Sequence, residues 1–511
     1  MSRRLIITEI IVIVIFICKI DVMSRQLFVR QGGSNSLSGT SISTAWATLG
    51  KACSTAVAGD TVNIGGGVWS VPIGNNYGPG AILTPFNSGT ASHPIVFRSN
   101  TDSLPAGRAI LDGNFTYHVI QAYQKKHIIF EYLEARRGYH FNVLIGWSDS
   151  CIVQYVSSHH LRSVDNENGC GVTLYSSTLA PPYYYNNVIR ACTLYENYSE
   201  VNNDVNTGAI VTYGQNGALI ENNVCYGGDS TIGGNPYDYP NGIHLKLFTI
   251  NSVVRNNIVY DFPFNEGIAI HRAGFNDSIY GNIIWNCKDG VVISSDGRAG
   301  HEADSTYNIY VFNNTIYATT GRGINVGEYV NSAYKYVRNF NSWNNIVIGT
   351  GRIYDVVDYP TIFGVVDYNC YVNTSVPNNV VYWKGTFKTL ANHIATDFQD
   401  SHSVNISPYV NIFIDTTTRN FRLRDTAPAA LRTGGRGGQF LPYMGAYPPS
   451  VDNIAPTFSN VRTTDTTATT VIVRWNTNEN ANSRVEYGLT TSYGTSTNLD
   501  PSLVTIHAQT L

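Results

Sequence analysis

The sequence predicts an all-β chain wound as a parallel β-helix, a solenoid of short strands stacked coil upon coil. Three observations carry the prediction. They are a recurring Asn-centred phrase, a Gly-headed phrase that follows it, and period-2 alternation inside the second phrase. The first reads LIENNVCY from Leu219, VVRNNIVY from Val253, SIYGNIIW from Ser278, YVFNNTIY from Tyr310 and SWNNIVIG from Ser342. Its repeating position is Asn223, Asn257, Asn282, Asn314 and Asn345, in steps of 34, 25, 32 and 31 residues. A helical solenoid repeats at a fixed interval, so steps this uneven suit short strands joined by corners of unequal length.

The second phrase reads GVTLY from Gly171, GAIVTY from Gly208, GIHLKL from Gly242, GIAIHR from Gly267, GVVISS from Gly290 and GINVGE from Gly323. Counting from each Gly, the first and third residues are apolar: Val172/Leu174, Ala209/Val211, Ile243/Leu245, Ile268/Ile270, Val291/Ile293 and Ile324/Val326. That alternation marks strands with one buried face, whose intervening residues point outward to solvent. Asn and Gly between strands supply the left-handed backbone that sharp corners require. Equivalent Asn residues are expected to stack as an amide ladder.

The rest of the chain fits around this repeat. With 511 residues it is long enough for two or three domains, and 43% hydrophobic residues with 46 Gly and 34 Tyr describe a folded, β-rich protein. A net charge of -3 excludes the basic excess by which nucleic-acid binders are recognised. The eight cysteines form no CxxC pair, which argues against zinc and for buried free thiols. Residues 1–22 form a basic-then-apolar leader interrupted by Glu9, too short for a stable membrane span. With it goes an expected extracellular or cell-surface location, and Met23 offers a second start. Residues 448–455 read as a Pro-marked linker, and residues 456–511 as alternating strands with turns between them.

Residues 26–447 resemble the right-handed parallel β-helix proteins of the pectate-lyase-like superfamily. The resemblance rests on TAWATLGKACSTAVAGDTVNIGGGVWS from Thr44, which is similar to their N-terminal capping helix and first coil. It rests also on DYNCYVN from Asp367 and on the stretch from Asp400 to Gly434. The tail, TATTVIVRWNTNENANSRVEYGLTTSYG, resembles a fibronectin type III module with its last strands missing. The superfamily includes lyases, hydrolases, epimerases and inert binders, so the resemblance implies the fold and leaves the activity to the site.

If the Gly-headed strands stack, the fourth residue after each Gly forms an outward column of Tyr175, Thr212, Lys246, His271, Ser294 and Gly327. The second forms another, of Thr173, Ile210, His244, Ala269, Val292 and Asn325. Lys246 and His271 then stand about 4.8 Å apart on successive coils, with His244 on the same face and Arg272 at the strand end. Such a basic cluster suits β-elimination on a uronate-containing polysaccharide: a base removes the proton at C5 while cations neutralise the carboxylate. A lysine among cations has its pKa lowered and can serve as that base. The resemblance to lyases of the chondroitinase-B and alginate-lyase type implies Lys246 as base and Arg272 as its arginine partner, with His271 beside them. Tyr175, Tyr213 and Tyr237 are candidates to pack on sugar rings. NGIHLK is similar to the base-bearing strand of calcium-dependent pectate lyases, with Asn241 where Asp stands. Asn241, Glu266 and Asp289 are therefore the candidate ligands for Ca2+. A glycan-binding surface protein of adhesin type and a glycoside hydrolase are the alternative readings. The hydrolase would need a pair of carboxylates that the outward columns lack.

Overall fold

The structure, a computed structural model, describes residues 24–511 apart from 75–77, 100–106, 164–168, 177–183, 200–206, 228–239, 273, 296–305, 328–336, 358–361, 407–411, 425, 439, 449–455 and 489–493. The leader, most of the linker and Tyr237 fall outside the described residues. The architecture is a right-handed parallel β-helix. Gln26–Val29 pairs in parallel with Thr61–Ile64 and opens a twelve-stranded sheet that ends at Ile362–Asp367. A larger sheet of 22 strands covers the remaining sides. Each coil places its inward residues directly above those of the last: Val62, Phe97, Phe130, Val153, Ile189 and Ile220 are register partners in series, all fully buried. This single apolar column removes from water what no coil alone could bury.

The ends are closed by different means. At the start, helix Leu49–Thr55 buries Leu49, Ala52 and Cys53, and Thr48 caps it by accepting a hydrogen bond from the Lys51 amide. At the far end, helix Leu390–Asp397 inserts Leu390 and His393, and the hairpin of Phe413–Asp415 with Asn420–Leu423 packs on Ile346 and Ile348. Beyond the linker, strands Phe458–Thr464, Ile472–Ser483 and Asp500–Thr510 form a small antiparallel sheet. It meets the rod through Arg98–Asp465 at 2.6 Å and through Arg474 donating to the Tyr132 hydroxyl. Among the described residues seven cysteines are buried, and Cys53, Cys151, Cys192, Cys225, Cys287 and Cys370 are free thiols. Burial pushes the thiols of Cys53, Cys151 and Cys192 up to about 12, which keeps them protonated and inert. No described helix is long and apolar enough to cross a membrane.

The Asn phrase does two jobs. Its first Asn turns the corner: Asn222, Asn256, Asn313 and Asn344 all have φ between 50° and 57°, and Gly281 takes that place at 65°. Its second Asn is buried, and its amide donates at 3.0 Å to the equivalent carboxamide of the next coil, from Asn223 through Asn257, Asn282, Asn314 and Asn345 to Asn369. Each ladder oxygen also accepts the backbone N–H of the Asn before it. Corner amides that would otherwise be orphaned in the interior are thereby satisfied. A second, exposed ladder joins Asn216, Asn251, Asn276, Asn308 and Asn339 at 2.7–2.9 Å.

The Gly-headed strands depart from expectation in three ways. Gly242, Gly267, Gly290 and Gly323 are not left-handed; they are needed because successive backbones touch. A Cβ on Gly242 would lie 2.3 Å from the Gly267 carbonyl oxygen, and one on Gly290 would lie 2.5 Å from that of Gly323. The coil of Gly208 is slipped by one residue, since Gly208 pairs with Asn241 and Ile210 with Ile243. Ile210 and Thr212 therefore face inward in place of Ala209 and Val211, and Thr212 is satisfied by the Thr249 hydroxyl at 2.9 Å. Finally, the outward columns are largely covered, for Thr173, Tyr213, His244, Val292 and Asn325 are all buried.

Replacing Asn282 by Ala removes a carboxamide with partners on both neighbouring coils. The expected cost is about 2–4 kcal/mol, because the Asn257 donors lose their acceptor inside the rod. Asn276→Gly in the exposed ladder keeps the left-handed corner and costs less than about 1 kcal/mol. Urea denaturation of both variants measures the contrast; equal losses would show that the buried ladder has no special weight.

Candidate functional site

Lys246 ends the strand Asn241–Lys246 and His271 ends Ile258–His271; the two are register partners on successive coils. Both are half-buried. His244 lies two residues before Lys246 on the same face, and its ring meets that of His271 edge-on at 4.5 Å. The Asn241 side chain approaches the His244 Nδ1 at 3.2 Å. The His244 Nε2 and Asn241 Oδ1 atoms are buried with no hydrogen-bond partner. Arg272 follows His271 in the left-handed region at φ 67°, and its carbonyl accepts the Phe248 amide at 3.3 Å, which ties this corner to the one after Lys246. The structure thus gathers Lys246, His244 and His271 on one face, with Arg272 at its rim.

The electrostatics differ from a cluster of cations. Burial, helped by His271 and Lys246, holds His244 well below the ordinary histidine range. Burial, with the charges of Lys246 and Arg322, lowers His271 to about 3. Both imidazoles are neutral at neutral pH and serve as hydrogen-bonding groups.

The slip at Gly208 brings Tyr213, not Thr212, into the column, as the direct partner of Lys246. The Tyr213 ring meets that of Tyr175 at 5.4 Å, Tyr175 meets Trp147 at 4.9 Å, and Trp147 meets Tyr123 at 5.2 Å. Gly146 stands between Tyr123 and Tyr175 in register without a side chain, and Trp147, in a left-handed conformation, fills the gap. This aromatic line, covering about 20 Å along the rod to Lys246, was invisible to a search keyed on Gly because its first two strands, HVIQAY and FNVLIG, have no Gly header. The alternation Ile120/Ala122 and Val143/Ile145 was the signal available.

The candidate calcium ligands form a different structure. Glu266 and Asp289 are register partners, but Asp289 accepts the Arg322 amide and guanidinium, both at 2.6 Å. Burial and the neighbouring Asp289 raise Glu266 above the usual carboxylate range. Both Asp289 oxygens already accept from Arg322, so a hard cation would have to displace a guanidinium to reach them. These three residues do not fit a calcium site, and no step is derived through one. Among the described residues no group of three His, Cys, Asp or Glu side chains could hold a metal; Asp204, Asp229 and Asp238 lie outside them.

The two depressed histidines make a pH-dependent contribution with a definite sign. An unfolded histidine binds its proton near pH 6.5, whereas His271 in the fold does so only near 3. The stability from keeping it neutral is fully present above about pH 6.5 and is lost as pH falls toward 3. Urea unfolding between pH 6.5 and 5 should show the wild type weakening with acid, and His271→Gln should reduce that slope by about 1 kcal/mol per pH unit. An unchanged slope would mean that the ring is solvated and titrates normally.

No family model matches the chain, and no curated protein matches it. Among solved structures, the chain is similar to the pectate lyase Pel9A at 16% identity and a TM-score of 0.52, over 83% of this chain and 96% of that one. It is also similar to XylC, solved with xylose, at 11% identity and a TM-score of 0.46, over 88% and 89%. A third, a rhamnogalacturonan lyase, matches at 15% identity and a TM-score of 0.42, over 76% and 91%. The likeness to Pel9A shows the fold: the chain is a parallel β-helix.

Proposed function

We propose that the protein is a polysaccharide lyase that cleaves an anionic, uronate-containing glycan by β-elimination, and that it works outside the cell, where such polymers are met. The observation that carries this reading is the pairing of Lys246 with His271 on adjacent coils, at the end of an aromatic line long enough for several sugar rings. In this scheme the polymer lies along the rod with a uronate over Lys246. The Arg272 guanidinium attracts the carboxylate, so that negative charge can accumulate on it as the C5–H bond breaks. The Lys246 amine takes that proton. The electron pair becomes the C4–C5 double bond, the C4–O bond breaks, and the leaving oxygen takes a proton from solvent at the half-buried rim. Neutral His271, at the half-buried rim, orients a sugar hydroxyl by a hydrogen bond, and buried His244 packs edge-on against it and holds its ring.

A second reading, a glycan-binding surface protein that does not cleave, is favoured by the burial of His244 and Tyr213. The two separate on one measurement. Pectate, alginate and glycosaminoglycans are incubated with the protein and followed for unsaturated uronate by ultraviolet absorbance. Lys246→Ala should lower the rate by about 10²–10⁴-fold, as expected for loss of a general base, while polymer binding persists. Retention of glycans with no unsaturated product from any polymer, between pH 5 and 10, would establish the binding reading in its place.

A further inference from the structure

A cavity of about 660 Å³ opens beyond the proposed cleavage site, lined by Lys288, Asp289, Arg322, Arg352, Val376 and Phe387, with Gly321 and Gly351 as its floor. Its construction is itself a repeat. Thr320-Gly321-Arg322 and Thr350-Gly351-Arg352 are the same three residues on successive coils, and Arg322 and Arg352 are register partners, as are Asp289 and Arg322. The glycines permit contact between the two corners: a Cβ on Gly351 would fall within bonding distance of the Gly321 carbonyl oxygen. The backbones of the two arginines therefore stand one rung, about 4.8 Å, apart beside a floor of bare backbone. Arg322 is fixed by Asp289 at 2.6 Å. Arg352 is fixed from below by buried Asp355 at 3.2 Å and lies over the Tyr382 ring at 3.8 Å. Lys288 is exposed at the mouth. Lys288, Arg322 and Arg352 line the cavity, and with Asp289 and Asp355 paired to the two arginines the set carries one net positive charge. The opposite wall is apolar and open to water, with Phe387 47% and Val376 49% exposed, and the Phe387 ring is braced edge-on by Tyr382 at 4.8 Å.

A planar cationic edge facing an exposed aromatic ring is the chemistry that recognises a carboxylated sugar: guanidinium holds the carboxylate, and the ring covers the apolar face of the pyranose. The volume is within the range of small-ligand sites. Arg322 and Arg352 lie three and four rungs from Lys246, about 14 and 19 Å along the axis, and stand in the column of Glu266 and Asp289, five residues or about 16 Å across the face from that of Lys246 and His271. We propose that this cavity is a distal subsite that binds an acidic sugar residue of a glycan that crosses the face obliquely beyond Lys246. The proposal rests on the reading above that the glycan is anionic, and it adds a second anchoring point that fixes which bond lies over Lys246.

Isothermal titration of the full chain with hexauronates from pectate and from alginate tests this, using Lys246→Ala to prevent turnover. The acidic oligomers should bind at least tenfold more tightly than their methyl esters, and more tightly than inorganic sulfate. Adding Lys288→Gln and Phe387→Ala, both surface positions, should weaken hexauronate binding about tenfold without changing the thermal midpoint. Arg352→Gln should weaken it further. On otherwise wild-type protein the same pair should raise KM for polymer and leave kcat within twofold. Equal affinity for acid and ester, undiminished affinity in the double variant, or no hexauronate binding at all would each overturn the subsite. Cleavage with unaltered KM removes the subsite alone, whereas tight charge-dependent binding without cleavage removes the elimination reaction and leaves the subsite standing.

Discussion

The buried amide ladder from Asn223 to Asn369 is the constraint on which the remainder of the structure depends. Parallel coils joined by corners of unequal length have no intrinsic register, and a slip of one residue would turn every side chain to the opposite face. By donating both its side-chain amide and its backbone N–H to the next carboxamide oxygen, each ladder Asn sets where the following strand begins. The apolar column, the touching glycines and the alignment of Lys246 with His271 follow from that setting. An amide serves here better than a hydroxyl because it carries donors and acceptor at once, so each member satisfies neighbours on both sides.

The local slip at Gly208 shows what the ladder leaves free. Between corners, packing decides. Ile210 offers more apolar surface to the interior than Ala209, and Thr212 can enter because Thr249 is there to bond it. The consequence reaches the site, because the same shift delivers Tyr213 to the rung before Lys246 and joins it to Tyr175, Trp147 and Tyr123. Sequence alternation alone could not decide this, since Ala209/Val211 and Ile210/Thr212 both alternate.

Much of the fold was legible because the repeat is written in residues with few alternatives: Asn at left-handed corners, and Gly where backbones meet. The adjacency of Lys246 and His271 was legible for the same reason. What could not be read was the state of those groups. The sequence suggested a patch of cations facing solvent, whereas burial leaves both histidines neutral. Burial of an outward column depends on what packs across it, which a pattern confined to the strand does not encode. Likewise Glu266 and Asp289 looked like oxygen donors until Arg322, 33 residues further on, proved to be the partner of Asp289. The exposed Asn ladder was missed because its members occur singly, without the doubled Asn that marks the inner one.

The coil between Asn257 and Asn282 is short, at 25 residues against 34 and 32 for the coils on either side, and 14 of them belong to the strand Ile258–His271. A turn with so little slack has almost no length to spend on excursions from the rod. Neighbouring turns are free to grow or shed loops, while the spacing of the imidazole from the amine stays fixed. On the function proposed above, selectivity can drift in the long turns, and reactivity is kept by the tight one.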